Sequence, residues 1–302
     1  MGEKLFCYIV YGVSLKTYLQ EGKSQNLFTH GVYGVAFSKM GMVKSFFEGD
    51  DCFYDLASLT KPLVVGTLLM VLMEEGELHL KDEVKKFLPP LWGRYLSGIT
   101  LEHLLRHEGG FPAVYPWYIS FPPEEGHEEE LLFSILTTPR EGMPGEKTIY
   151  CDGGFLLLGW ILHRVLSTTL WEGFREKILS PLQLVPFFSF YRTSPSHSAP
   201  TGYCSWRKRT LCGEVHDPHA YLMGYNSGNS GLFGKVEGVV ALGVQWLLGR
   251  KEGFLGLSPE RVRKFTEIPE SSHRRPLAWD RVSERDSQAG TLLSLKAFGH
   301  LG

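Results

Sequence analysis

Ser58 and Lys61 stand three residues apart in Ala57-Ser58-Leu59-Thr60-Lys61, at the head of a long apolar run. If that run is helical, residues three apart share a face, so the hydroxyl and the amine project together. A serine hydroxyl is a weak nucleophile until a neighbouring base takes its proton. A lysine can be that base only when burial or nearby positive charge depresses its pKa. The helix N-terminus adds partial positive charge and free N–H groups where an oxyanion would form. The chemistry implied is acyl transfer through serine. The same spacing also describes a helix-capping serine beside an exposed lysine, so the surroundings have to decide.

Two other clusters carry ligand-type residues. His103 and His107 are four apart on a predicted helix, and His216-Asp217-Pro218-His219 is dense in metal-binding types. The helical pair lacks the glutamate of H-E-x-x-H, so metal catalysis is the weaker reading and no cofactor is expected. Gly228 to Lys235 is glycine-rich, but five residues separate Gly228 from Gly234 and valine follows the lysine. A phosphate-binding P-loop needs four, then Ser or Thr.

The elements that must position these groups are legible in outline. A first amphipathic helix running through Leu15, Tyr18 and Leu19 is predicted, then a hairpin over 30–49 turning at Lys39-Met40-Gly41. The run 55–75 reads as a helix broken by Gly76, with Pro62 in its first turns. Shorter helices are predicted over 101–106, 153–166, 234–248 and 259–267, and 189–212 reads as a long surface excursion. Strand pieces are expected at 277–279 and 297–302. Strands, many helices and strands again imply a sheet lobe built from both chain ends, about 1–55 and 232–302, around a helical lobe of about 56–231. All 302 residues are expected to form one such domain.

Composition excludes other classes. A net charge of -2 with interspersed signs gives no basic stripe for nucleic acid. Five scattered cysteines with no C-x-x-C pair argue against a disulfide framework and fit a reducing cytoplasm. No uninterrupted apolar run of membrane-spanning length is evident, and the N-terminus lacks a convincing signal-peptide cleavage site.

Context raises the serine–lysine pair above chance. Phe53-Tyr54-Asp55-Leu56-Ala57-Ser58-Leu59-Thr60-Lys61, the stretch Glu74 to Asp82 with Phe87-Leu88-Pro89, and Ile99 to Gly110 closely resemble class C β-lactamases and the related esterases and carboxypeptidases. Tyr150-Cys151-Asp152 resembles that superfamily's Y-x-N element, and Phe298-Gly299-His300-Leu301-Gly302 its H-x-G form of K-T-G. The segments Gly213 to Tyr221 and Gly228 to Gly234 resemble a branch that contains peptidoglycan-recycling amidases, carboxypeptidases and esterases.

The resemblance implies the two-lobed α/β (α+β) fold of the serine β-lactamase and penicillin-binding-protein superfamily. It implies that Ser58 attacks, that Lys61 and Tyr150 move protons, and that His300 takes a cationic or acid/base role. Asp152, His216 and Gly302 are expected to line the substrate cleft. The acyl donor is a small molecule or a peptidoglycan-derived fragment: an ester, an amide or a β-lactam. The oligomeric state is not legible.

Two departures matter. Asp152 replaces the amide of the lactamase branch, so a carboxylate should counter Lys61, raise its pKa and meet anionic substrates badly. Leu301 replaces a residue that normally brings a hydroxyl to the substrate. The sequence also stops within the third motif, before the residue that would donate the second oxyanion N–H. An incomplete sheet is therefore expected, and a truncated, catalytically silent binding protein is the alternative reading.

Overall fold

A computed structural model describes residues 15–39, 42–267, 275–282, 293–294 and 296–302. In chain order the elements are α1 (Leu15–Ser24), β1 (Val32–Lys39), β2 (Met42–Gly49), β3 (Tyr54–Asp55), α2 (Thr67–Glu74), α3 (Pro90–Gly93), α4 (Leu101–Leu105), α5 (Glu128–Thr137), α6 (Gly153–Leu166) and α7 (Leu170–Phe174). They continue with β4 (Phe188–Phe190), β5 (Pro200–Cys204), β6 (Arg209–Cys212), α8 (Pro218–Met223), β7 (Leu232–Gly234), α9 (Val236–Glu252), α10 (Pro259–Thr266), β8 (Asp280–Arg281) and β9 (Phe298–Gly299).

The fold is mixed helix and antiparallel sheet. The expected hairpin forms, with β1 and β2 in register from Val32 opposite Gly49 to Lys39 opposite Met42; its turn residues 40 and 41 lie outside the described residues. Gly34 lets α9 approach, because a Cβ there would come within 2.7 Å of Val236 and Val240. Phe37, Met42, Val43, Phe46 and Phe47 are exposed. Among the described strands the hairpin does not pair with β8–β9; the sheet expected from both chain ends is a set of separate ribbons.

The ribbon that positions chemistry is β3-β7-β4, with Asp55 opposite Phe233 and Phe190 opposite Leu232. It carries the chain straight into the segment that holds Ser58. Beyond it the predicted single helix is resolved into three pieces: a 3-10 turn over Ala57–Leu59, a wide π-helical turn over Lys61–Gly66, then α2. Pro62 explains the irregular start, since it has no N–H to give and its ring crowds the carbonyl one turn back. The run 57–74 is long and apolar enough to cross a membrane, but 83% of it is buried inside the protein. Its apolarity is that of a core helix.

Helix α6 lies beside it, buried continuously from Gly153 to Leu162. Here Gly159 meets Gly228 backbone to backbone: a Cβ on Gly159 would lie 2.5 Å from the Gly228 nitrogen and 2.6 Å from the Asn226 oxygen. Gly159→Ala is expected to destabilise the protein by about 1–3 kcal/mol through overpacking, read as a lowered denaturation midpoint. The cost falls on a loop that the site uses.

The segment expected as a surface excursion is a correction. Phe190 and Tyr191 are 2% and 1% exposed, and β5–β6 form an antiparallel hairpin. Strands this short leave too few alternating positions for a period of two to show. The segment 56–231 therefore carries β4, β5 and β6 as well as helices, and 232–302 carries α9 and α10 as well as strands.

Candidate active site

Ser58 is presented by a clamped, strained turn. Ala57, just before it, has φ +44, in the left-handed region that non-glycine residues avoid. Its N–H donates to Asp55 Oδ1 at 2.9 Å, and its carbonyl accepts from Thr60 Oγ1 at 2.7 Å. Thr60 Oγ1 in turn accepts the Leu232 N–H of β7 at 3.0 Å, and the Leu56 N–H donates to the Leu232 carbonyl at 2.8 Å. The nucleophile segment is thus bolted to the central strand on both sides. Main-chain N–H groups in a first helical turn have no intrahelical partner, and Ser58 sits in that turn.

Asp55 also accepts the His216 N–H at 2.8 Å. Burial pushes its carboxyl up to about 6, against the pull of those two N–H donors. A folded pKa above the unfolded value of 3.8 means that the fold prefers the neutral acid. That contribution is complete below about pH 4 and is lost as pH rises through 6. Asp55→Ala orphans two N–H groups but removes a buried charge. We expect a net loss of about 2 kcal/mol at pH 7 and a larger loss at pH 4, measured by denaturant titration.

Lys61 is fully buried and its ammonium has three acceptors. Nζ lies 2.8 Å from Ser58 Oγ, 2.7 Å from Asp152 Oδ1 and 3.0 Å from the Asn229 carbonyl. Burial alone would push this amine down, but the Asp152 carboxylate, with Tyr150 nearby, outweighs it and holds Lys61 above its ordinary value. Asp152 also pays for burial, yet Lys61 keeps its carboxyl below the usual range. Asp152 stands immediately before α6, makes no capping hydrogen bond with its side chain, and leaves about a third of that side chain open. The carboxylate counters Lys61 as the sequence implied, so resting Lys61 is a donor to Ser58 rather than a free base.

Tyr150 borders the same centre. The Lys61 ammonium lies 5.2 Å from its ring centre and the Arg275 guanidinium 5.1 Å. Two imidazoles bracket the ring, His107 at 4.4 Å and His300 at 5.9 Å between centroids. Burial, with the Lys61 charge behind it, pushes His300 down to about 3, so it is neutral near pH 7. Of the two roles expected for His300, cationic or acid/base, a neutral imidazole fits the second. His300 Nδ1 lies 2.6 Å from the Leu301 carbonyl, which can only accept, so Nδ1 carries the hydrogen and Nε2 keeps a lone pair. His107 has the opposite tautomer: its Nδ1 accepts the Cys151 N–H at 3.2 Å, leaving Nε2 protonated. Burial, then Arg275, keeps His107 neutral as well.

The remaining expected residues fall differently. Gly302 presses on the main chain just before the nucleophile, where a Cβ would lie 2.2 Å from the Leu56 oxygen. His216 enters the frame through its backbone: its N–H holds Asp55 and its carbonyl accepts from Arg207 at 2.6 Å. Burial lowers its ring pKa. Sequence reasoning did not assign His107, Asn229, Asp55 or Arg275 to the site. All but Arg275 lie inside segments whose resemblance was noted, but main-chain acceptors and stacking partners have no spacing signature.

With the geometry in place, comparison with known proteins is direct. The β-lactamase family profile matches residues 49–302. A protein named putative D-alanyl-D-alanine carboxypeptidase from Escherichia coli K12 is 32% identical in an alignment 285 residues long that covers 82% of this chain. A protein of the same name from Salmonella enteritidis is 30% identical in an alignment 278 residues long that also covers 82% of this chain. The chain spans 64% of the length of either relative. The fold matches a D-stereospecific amidohydrolase from Streptomyces sp. with a TM-score of 0.65, at 18% identity over 90% of this chain and 84% of that one. It matches the octameric penicillin-binding protein homologue from Pyrococcus abyssi with a TM-score of 0.62, at 20% identity over 85% of this chain and 61% of that one. By profile, relatives and fold, then, the chain that holds Ser58 against Lys61 belongs to the β-lactamase family.

Proposed function

We propose that the protein is a serine hydrolase that transfers the acyl group of an ester or amide to Ser58 and then to water, with peptidoglycan-derived fragments as the substrate class. The observation that carries this reading is the 2.8 Å contact between Lys61 Nζ and Ser58 Oγ, inside a frame fixed by Asp152 and Asn229. The relatives named as D-alanyl-D-alanine carboxypeptidases support the substrate class.

In the first step the Ser58 Oγ–acyl bond forms and the bond to the leaving amine or alcohol breaks. The Lys61 ammonium stabilises negative charge growing on Oγ, a preorganised donor where charge develops. Because that ammonium cannot also accept, the hydroxyl proton moves to the Tyr150 oxygen in concert with transfer of the Tyr150 hydroxyl proton onward, and the neutral His107 and His300 hold its ring in place. The proton that Tyr150 releases goes to the leaving group, so the phenol ends the step neutral, as it began. Water then attacks the acyl carbon, gives its proton through the same tyrosine and frees Ser58. Where Leu301 stands, the substrate meets an apolar surface rather than a hydroxyl.

The test is intact mass after incubation with an ester-like or β-lactam acylating probe, followed by turnover of D-alanyl-D-alanine peptides and esters. One adduct per chain, mapped to Ser58, is expected. A folded protein that takes no adduct would leave a ligand-binding protein without acyl transfer.

A further inference from the structure

Next to Asp152, the Lys61 counter-charge, lie two groups that acyl transfer does not use, Asp217 and His219. Donor atoms of Asp152, Asp217 and His219 all lie within 4.8 Å of one another. His219 is 6% exposed, and neither of its ring nitrogens has a hydrogen-bond partner among the described residues. Buried imidazole nitrogens normally find one. Here the walls around the ring are aromatic: Trp117 and Tyr118 meet it edge-on at 5.4 and 5.3 Å.

We propose that Asp152, Asp217 and His219 form a binding site for one divalent transition-metal cation of the zinc class. The donor set is one imidazole and two carboxylates, which suits a borderline cation better than calcium or magnesium. Metal–ligand distances of about 2.0–2.2 Å require shared donors to sit roughly 3–4 Å apart. The cluster needs only a small contraction to reach that.

Rigidity favours the site. Asp217 caps α8 by accepting the Ala220 N–H at 2.7 Å, and it accepts the Asn229 side-chain amide at 3.0 Å. Pro218 follows at the first helical position, so Asp217 and His219 are held on one preformed turn. Asp152 spends Oδ1 on Lys61. A carboxylate offers about four lone-pair sites, so both acids keep capacity for an ion. The Lys61 ammonium opposes a second cation, but two carboxylates against one ammonium leave the pocket negative overall.

The site shares Asp152 with the Lys61 frame, so the test reads metal binding alone and needs no acyl transfer. Untagged full-length protein, stripped with chelator, is titrated with Co2+ and followed by its visible absorption, then with Zn2+ by equilibrium dialysis. One equivalent of each should bind per chain. His219→Gln should weaken binding by about tenfold or more, while the surface substitution His79→Gln should change nothing. No saturable binding, or equal affinity in a folded His219→Gln protein, would overturn the proposal. If His219→Gln does not fold, Asp217→Asn decides: it keeps a helix-capping side chain, and unchanged affinity there overturns the site equally.

Discussion

Ser58→Ala keeps its fold, takes no acyl adduct from any probe and turns over substrate at least about 10,000-fold more slowly than the wild type, the scale on which nucleophile deletions fall in serine hydrolases. The fold should survive because the clamps on this segment are made by its neighbours. Asp55 holds Ala57, and Thr60 joins Ala57 to β7. Ser58 itself contributes an acceptor to Lys61, which keeps Asp152 and the Asn229 carbonyl when it is lost. Circular dichroism and intact mass, measured on the same preparation, separate lost chemistry from lost structure. An adduct of undiminished stoichiometry on Ser58→Ala would place the nucleophile elsewhere.

Asp152→Asn tests the charge logic of the site. The substitution keeps an acceptor for Lys61 and removes the carboxylate. Asp152 has a depressed pKa, so its share of stability is present above about pH 4 and is lost as pH falls through the folded value. Lys61 has a raised pKa, so its share is present below 10.5 and is lost as pH climbs through the folded value. The pair therefore stabilises the protein between about pH 4 and pH 10.5. Breaking a buried pair costs about 3–5 kcal/mol, and the third of Asp152 that is open reduces this to roughly 2–3 kcal/mol. Denaturant midpoints across pH should show the deficit inside that window and convergence outside it.

The same variant should change reactivity. With its counter-charge gone, burial, the largest influence on Lys61, is opposed by Tyr150 alone and lowers its pKa. Acylation by the variant should rise with pH as the free amine appears, a rise that the wild type lacks. Anionic β-lactams should acylate it faster, because the carboxylate that repels them is removed. A pH profile identical to the wild type would sink the assignment of Asp152 as the group that keeps Lys61 charged.

Much of the site was readable in the sequence because local geometry fixed it. Ser58 and Lys61 meet because three residues of helical turn bring them together, and Tyr150-Cys151-Asp152 precedes α6 because an apolar helix needs a polar start. The hairpin 32–49 and α6 were legible because their periodicity or continuous apolarity extends over enough residues to register. The short strands β4, β5 and β6 were not, since two to five residues show no period and their place is set by β7 and the core beside it.

What the sequence determined by itself was the family, through the order and content of three motifs along one chain. Tertiary structure decided the protonation states, since these depend on groups distant in the chain. Lys61 is a cation because Asp152, 91 residues away, and Tyr150 together outweigh its burial. His300 is neutral because it is buried beside that cation. No spacing rule reports either fact, because burial and the electrostatic field at an atom come from everything that folds around it.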